Sequence, residues 1–317
     1  MIRSSLLQQV TDVISRSGFA VVIFLGLTLT GNCGALPSLG TTPLKADNFS
    51  ALQAYLFANK PDLGQFRLRG PFPVTEKEDF ELRLSAKERI KTDLYLSAHG
   101  AKAPLAIFMH GYGSKKQDHR YQAMHLASWG VHSLVLELPA QSAWVGNGRV
   151  LAKVVKFIQS SPGVIDNGVD ANKIVLIGHS FGAYSVTVAL ASGAKVSGAV
   201  LLDPATADSR SPSYLGRVTV PVIVLGADEN IASTRNRDYF YRYIKRGVAE
   251  VSIKGANHED AQFPSHFPET TEAFQFTFAG ALTAAAIGFS GGKRNDYAMA
   301  SFGTAIASGD LFNARKK

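Results

Sequence analysis

An apolar run between residues 173 and 191 is interrupted by one glycine-rich turn. Residues 173–177 are predicted to form a buried strand, and residues 183–191 have the composition of a helix. The pentapeptide between them, 178–182, follows a Gly-x-Ser-x-Gly pattern centred on Ser180. Its glycines permit a turn so sharp that the backbone of the central serine is strained. The segment therefore predicts a strand, a tight turn and a helix in immediate succession.

Short apolar runs recur along the chain, with helix-like segments between them. Continuous runs of this length are typical of parallel strands that are buried on both faces. Phe80, Leu82 and Leu84 instead alternate with polar residues ahead of Leu94 and Leu96, which indicates an antiparallel hairpin at a sheet edge. The fold class is therefore α/β, with a mostly parallel central sheet and helices on both faces. The predicted strands are residues 105–109, 133–136, 173–177, 199–202, 222–225 and 250–253; helices are predicted at 231–244, 272–287 and 296–307.

The connection between two of these strands is short. Residues 205–219 alone separate the strand before Asp203 from the strand before Asp228. An inserted cap domain would need a much longer connection at this point. We expect no large cap, and an open, partly exposed cleft.

A serine hydroxyl is a poor nucleophile unless a base, an orienting acid and oxyanion donors surround it. Two histidines, His258 and His266, lie downstream of the predicted strands and ahead of the final helices. His258 is the favoured base, because the prolines that flank His266 indicate a turn of its own.

Two carboxylates are candidates for the acid. Asp203 and Asp228 each follow a predicted strand, at the edge of the sheet where open α/β folds assemble their sites. Capping of the following helix is an alternative explanation, particularly for Asp228.

The oxyanion donors are predicted from the two loops that meet the serine. One is the backbone N–H of Phe181, directly after Ser180, and the other is the N–H of Tyr112 in the loop that follows residues 105–109. His110 and His179 lie in the same two loops, and we assign them to packing and loop support.

These motifs resemble those of the α/β-hydrolase superfamily, in the group that includes dienelactone hydrolases, platelet-activating-factor acetylhydrolases, chlorophyllases and bacterial cutinase-like polyesterases. The resemblance spans residues 75–285 and is carried by the motifs at 110–113, 178–182, 202–204 and 255–258. In cutinase-like relatives the acid aligns with Asn230, which cannot supply the charge that steadies an imidazolium. In acetylhydrolase-like and chlorophyllase-like relatives it aligns with Asp203. The comparison therefore favours Asp203 over Asp228.

The resemblance implies a serine esterase that cleaves small-molecule or lipid esters through Ser180, His258 and Asp203 without a cofactor. Alternatives are an acyltransferase or peptidase that uses the same triad, and a catalytically silent scaffold with a binding or envelope role. The sequence has no Cys/His cluster that predicts a metal and no phosphate loop. The net charge of +8 comes from scattered Lys and Arg, which indicates a solvated basic surface and no nucleic-acid partner.

The first forty residues differ from the rest, and we divide the chain into an N-terminal segment, 1–40, and one catalytic domain, 41–317. Arg3 and Arg16 precede an uncharged apolar run at 19–27 that is short for a membrane span. We expect an exported protein, periplasmic or secreted. Cleavage of this segment, lipidation of Cys33 and retention as a membrane anchor are the three alternatives. Cys33 is the single cysteine, so no intramolecular disulfide can form.

Overall fold

The computed structural model describes residues 61–98, 102–228, 236–265, 267, 269–290 and 294–317. In these ranges strands alternate with helices along most of the chain. The strands are β1 Val74–Arg83, β2 Arg89–Ser97, β3 Ala103–Met109, β4 His132–Leu136, β5 Val169–His179, β6 Gly198–Leu202, β7 Val222–Gly226, β8 Val248–Ile253 and β9 Leu311–Lys316. The helices are α1 Leu63–Arg67, α2 Arg120–Ser128, α3 Trp144–Ser160, α4 Phe181–Ala191, α5 Ser211–Leu215, α6 Arg237–Tyr243, α7 Glu272–Ser290 and α8 Arg294–Ser308.

The strands form one sheet in the order β1-β2-β4-β3-β5-β6-β7-β8-β9. From β4 across to β8, neighbouring strands are parallel. The antiparallel pairs lie at the two ends of the sheet, where β2 pairs with both β1 and β4, and β9 pairs with β8. The predicted mostly parallel sheet is confirmed.

The core lies on both faces of this sheet. Successive residues of a strand point to opposite faces, and β3 divides its side chains accordingly. Ala106 and Phe108 join a cluster with residues of α1, α2, α7 and α8. Leu105, Ile107 and Met109 join a second cluster with residues of α3, α4 and α6. The prediction of helices on both faces is therefore also confirmed.

The hairpin at the sheet edge is confirmed, with Leu82 opposite Ile90. The C-terminal strand β9 is an element that the sequence did not reveal. It pairs with β8 so that Leu311 lies opposite Ile253. Beyond Leu311 its side chains are mostly exposed, because an edge strand has a neighbour on one side only. Its residues therefore lack the apolar alternation on which strand prediction depends.

The connection from β6 to β7 contains only the short helix α5, Ser211–Leu215. The expectation that no large cap is inserted there is confirmed. The predicted helix at 231–244 corresponds to α6, Arg237–Tyr243; its expected first turns lie outside the described residues. The two predicted C-terminal helices correspond to α7 and α8.

The N-terminal segment 1–40, with Cys33 and the apolar run at 19–27, lies outside the described residues. Among the helices within the described ranges, none has both the length and the apolar character needed to cross a membrane.

Candidate active site

Ser180 lies between the end of β5 and the start of α4. Its φ of 53° and ψ of −126° are values that residues other than glycine rarely adopt. Such a conformation costs on the order of 1–3 kcal/mol and persists only where surrounding bonds impose it. Here Ser180 N–H donates to the carbonyl of Leu202 at 3.0 Å, and the Ser180 carbonyl accepts from Ala205 N–H at 3.0 Å. The turn is thereby held against the end of β6.

The glycine after the turn is required by close packing. A Cβ atom on Gly182 would lie 2.3 Å from the carbonyl oxygen of Met109 and 2.4 Å from that of His110. Any larger residue would push the first turn of α4 away from the end of β3. The predicted strand, tight turn and helix are therefore present, and α4 packs directly on the loop that follows β3.

Asp203 directly follows β6 and is fully buried. Its Oδ2 lies 2.6 Å from Nδ1 of His258. Its Oδ1 accepts the backbone N–H of Ala227 at 3.0 Å and lies 3.8 Å from Nη1 of Arg237. The buried carboxylate thus has a hydrogen-bond donor, Ala227 N–H, and a nearby cation, Arg237. A carboxylate that is ionised in the protein interior requires partners of this kind.

The hydrogen bond to Asp203 determines the tautomer of His258. An ionised carboxylate only accepts hydrogen bonds, so Nδ1 of the imidazole carries the proton. In the neutral ring Nε2 is then unprotonated and able to accept a proton. The side chain of His258 is 18% exposed, so this imidazole reaches the surface of the site.

Asp228, the alternative acid, contacts backbone rather than the imidazole. Its Oδ2 accepts the N–H of Gly255 at 2.9 Å, and its own N–H donates to the carbonyl of Ala256 at 2.9 Å. Arg237 donates to its carbonyl at 3.0 Å. Asp228 therefore ties the end of β7 to the loop that leads into His258. Asn230 and the rival base His266 both lie outside the described residues.

A capping box holds His258 at the start of a short 3₁₀ helix, His258–Ala261. The side chain of Asn257 accepts the N–H groups of Glu259 and Asp260, at 2.9 and 3.1 Å. The Asp260 carboxylate accepts the N–H of Asn257 at 2.8 Å in return. Such boxes have a sequence signature, so Asn257 and Asp260 are supporting residues that the sequence could have identified.

The two residues predicted as oxyanion donors adjoin Ser180, one as its neighbour in the chain and one through the loop after β3. Phe181 begins α4, so its N–H belongs to the first turn of a helix, where donors have no partner within the helix. Tyr112 follows Gly111, and a Cβ atom on Gly111 would lie 2.8 Å from Cβ of Ser180. The loop therefore runs directly against the serine. The side chain of Tyr112 is 66% exposed.

His110 supports this loop, as the sequence predicted for it. Its ring is buried, and its Nδ1 lies 2.9 Å from the carbonyl of Gly111. Its Nε2 lies 3.2 Å from the backbone nitrogen of Leu138 and 3.2 Å from Oε1 of Glu137. The loop after β3 is thereby joined to the end of β4.

Lys116, at the far end of the same loop, corrects the prediction that the basic residues are solvated. It is 3% exposed, and its Nζ lies 2.6 Å from Oδ1 of Asp93 and 3.0 Å from Oδ1 of Asp79. Burial by itself would lower the pKa of Lys116, but the hydrogen bonds to the two carboxylates raise it above its ordinary value. No local sequence pattern indicates this cluster, because Asp79 and Asp93 lie in the edge hairpin, remote in the chain from Lys116.

Two aromatic rings lie beside the turn. Phe181 stacks on Trp144, the first residue of α3, with ring centroids 5.0 Å apart and an interplanar angle of 17°. Both side chains are half-buried. The sequence suggested Phe181 but not Trp144, because the contact depends on how α3 packs on α4.

In the part of the chain that the structure describes, no group of three or more His, Cys, Asp or Glu could hold a metal ion.

Comparison with known proteins agrees with this fold. Residues 106–308, which run from within β3 to the end of α8, match the model of the alpha/beta hydrolase family. That match covers more than half of the chain and includes Ser180, Asp203 and His258. No curated protein matches the chain. The chain belongs to the alpha/beta hydrolase family.

Proposed function

We propose that this hydrolase cleaves carboxylic esters with a catalytic triad of Ser180, His258 and Asp203. The observation that carries the proposal is the 2.6 Å hydrogen bond between Nδ1 of His258 and the buried carboxylate of Asp203. That bond leaves Nε2 of the imidazole as the base that a serine hydroxyl needs. The strained turn at Ser180 adds support, since strain of this kind is typical of a nucleophile elbow.

In the proposed reaction the Ser180 hydroxyl attacks the ester carbonyl while Nε2 of His258 accepts its proton. The backbone N–H groups of Tyr112 and Phe181 donate to the oxyanion of the tetrahedral intermediate. His258, now protonated, gives its proton to the departing alcohol, and an acyl-enzyme remains on Ser180. Water, activated by the same histidine, then releases the acid and restores the serine. Asp203 stays ionised throughout and stabilises the imidazolium.

The aromatic rings beside the serine favour an apolar or aromatic acyl group. The stacked pair of Trp144 and Phe181 offers apolar surface next to the turn, and Tyr112 offers an exposed ring on the other loop. We therefore propose a small-molecule or lipid ester as the substrate. The motifs that resemble those of dienelactone hydrolases, acetylhydrolases, chlorophyllases and cutinase-like polyesterases are consistent with this class.

Three alternatives use the same fold and are separable by experiment. An acyltransferase would pass the acyl group from Ser180 to an acceptor other than water, and a peptidase would cleave amides. A silent scaffold would have the residues but no reactive serine.

We propose export for the whole protein on the basis of residues 1–40, with membrane association through that segment if it is retained.

A fluorophosphonate probe and a panel of p-nitrophenyl esters of increasing acyl length test the proposal. We expect stoichiometric labelling at Ser180 and turnover of the esters, with the preferred acyl length reporting the size of the acyl site. Peptide substrates, and alcohol acceptors added to the ester assay, distinguish the alternatives. A folded protein that neither reacts with the probe nor hydrolyses any ester would refute the proposal.

A further inference from the structure

His179, the last residue of β5, contacts several parts of the site at once. It is buried directly before Ser180 in the chain. Its ring lies against that of His258, with centroids 4.5 Å apart and an interplanar angle of 36°. It also lies edge-on to the ring of His119, with centroids 5.9 Å apart. Three imidazoles thus form a row that runs from His258 into the core.

His179 is also bonded to the backbone of His258. Its Nε2 lies 3.1 Å from the carbonyl oxygen of His258. A carbonyl oxygen can only accept, so Nε2 of His179 carries the proton and Nδ1 does not. Burial holds the pKa of His179 well below its ordinary value, and the nearby His258 adds to this effect. His179 is therefore a neutral ring whose only N–H is committed to the His258 backbone.

The remaining edge of the same ring faces the loop after β3. A Cβ atom on Gly111 would lie 3.4 Å from Nδ1 of His179 and 2.8 Å from Cβ of Ser180. The glycine thus lets the loop approach both residues. The side chain of His179 therefore contacts the ring of His258, the backbone of His258 and the loop that contains Tyr112. His179 is also covalently adjacent to Ser180.

We propose that His179 is a positioning residue that sets the distance between the imidazole of His258 and Ser180. The inference rests on the proposed function, in which His258 is the base. Asp203 fixes the imidazole through Nδ1, and His179 fixes the backbone that carries it. The capping box of Asn257 and Asp260 holds the same stretch of backbone, and His179 adds an anchor that is covalently adjacent to Ser180. Loss of this anchor would let Nε2 of His258 shift relative to the serine. A misplacement of about 1 Å between reacting groups can cost about 10²-fold in rate.

Two substitutions separate the hydrogen bond from the ring contact. His179→Phe retains a flat ring and removes the donor, whereas His179→Gln retains an N–H near the position of Nε2. We expect His179→Phe to lower kcat on a p-nitrophenyl ester by about 10²-fold with an unchanged KM, and to slow fluorophosphonate labelling equally. His179→Gln should recover most of that loss.

The matched control is His125→Phe on α2. His125 is also buried, and its Nε2 lies 2.6 Å from a backbone carbonyl, that of Phe66. Its ring stacks on Tyr121 with centroids 5.5 Å apart. Its substitution removes the same kind of bond outside the proposed site. We expect a loss of stability with kcat unchanged per folded molecule, as counted by near-ultraviolet circular dichroism.

A measurement without substrate separates this inference from the proposed function. The proton on Nδ1 of His258, bonded to Asp203, should give a downfield NMR resonance that is lost in Asp203→Asn. We expect this proton to exchange with water faster in His179→Phe than in wild type, and His179→Gln to restore the slow exchange. If the protein hydrolyses no ester, the exchange rates still decide whether His179 positions His258.

Wild-type kcat and wild-type exchange in His179→Phe would overturn the inference. So would an equal loss of kcat per folded molecule in His125→Phe, since the effect would then follow from any buried histidine. If neither variant of His179 folds while His125→Phe does, His179 serves the fold as a whole, and the positioning role is likewise rejected.

Discussion

His258 and Asp203 are separated by 55 residues in the chain and are joined by a 2.6 Å hydrogen bond between Nδ1 and Oδ2. Asp203 follows β6, and His258 lies in the loop after β8. Because β6, β7 and β8 are parallel neighbours, the carboxyl ends of all three meet at one edge of the sheet. Asp228, at the end of β7, lies between them in sequence and bonds to the backbone of the His258 loop.

This arrangement predicts unequal effects of the two carboxylates. Asp203→Asn should lower kcat by about 10⁴-fold, because the neutral amide neither stabilises the imidazolium nor enforces the required tautomer. Asp228→Asn should leave kcat within a few fold of wild type, since an asparagine oxygen can still accept the N–H of Gly255. Steady-state kinetics on both purified variants measure the difference. Near-normal turnover in Asp203→Asn, with collapse in Asp228→Asn, would identify Asp228 as the acid.

The strained turn predicts the effect of removing the nucleophile. Ser180→Ala should abolish fluorophosphonate labelling and lower ester turnover to less than about one part in a thousand of wild type. The fold should persist, because the backbone bonds from Ser180 to Leu202 and Ala205 do not involve the hydroxyl.

The matched control is Ser185→Ala on the same helix. Ser185 is buried, and its hydroxyl donates to the carbonyl of Trp144 at 2.9 Å. We expect this substitution to lower stability by about 1 kcal/mol and to leave labelling intact. Labelling that survives in Ser180→Ala would assign the reactive residue elsewhere.

The buried pair of Lys116 and Asp93 predicts a large effect on stability. Lys116→Met should lower the free energy of unfolding by about 3–5 kcal/mol, because it leaves the Asp93 carboxylate buried without its cation. The double variant Lys116→Met/Asp93→Leu should recover most of that loss. Urea denaturation of the single and double variants measures both values.

Lys153→Met provides the comparison at the surface. Its Nζ lies 3.1 Å from Oε1 of Glu88; the Lys153 side chain is exposed and that of Glu88 is partly exposed. Loss of an exposed pair should cost less than about 1 kcal/mol. Equal losses in Lys116→Met and Lys153→Met would mean that Lys116 remains hydrated in solution.

The buried histidines predict how stability depends on pH. Burial lowers the pKa of His119 and of His125 to about 4, from an ordinary value of 6.5. Between these values the folded state keeps both rings neutral while the unfolded chain binds a proton on each. Proton binding therefore stabilises the unfolded state relative to the folded state as pH falls, and stability is lost from about pH 6.5 down to about pH 4. Each ring contributes a slope of up to about 1.4 kcal/mol per pH unit.

Urea denaturation at pH values from 7 to 4 measures this slope. His125→Gln removes one titrating group and can still donate to the carbonyl of Phe66, so its slope should be shallower. A free energy of unfolding that stays constant or rises as pH falls from 6.5 to 4.5 would contradict the burial of these rings.

Local patterns predicted much of this molecule. The apolar runs located the strands of the parallel sheet, because strands buried on both faces must be continuously apolar. The turn at Ser180 was recognisable because its glycines and flanking elements are contiguous. By contrast, β9 was missed because an exposed edge strand needs no such pattern.

Asp203 shows where the sequence became insufficient. Both acids follow a strand and precede a helix or loop, so periodicity could not distinguish them. The resemblance to known hydrolases favoured Asp203, and the geometry joins that residue to His258. The distinction depends on strand order and on the path of the loop after β8, which are non-local.

The sequence by itself determined the fold class, the turn at Ser180 and the set of residues from which a triad could be drawn, because those depend on neighbours in the chain. Only the tertiary structure decided which carboxylate meets His258, that Lys116 is buried between Asp79 and Asp93, and that His179 lies against both His258 and Gly111. These contacts join residues from different strands and loops. Their energies depend on burial and distance, which arise only when the sheet is assembled.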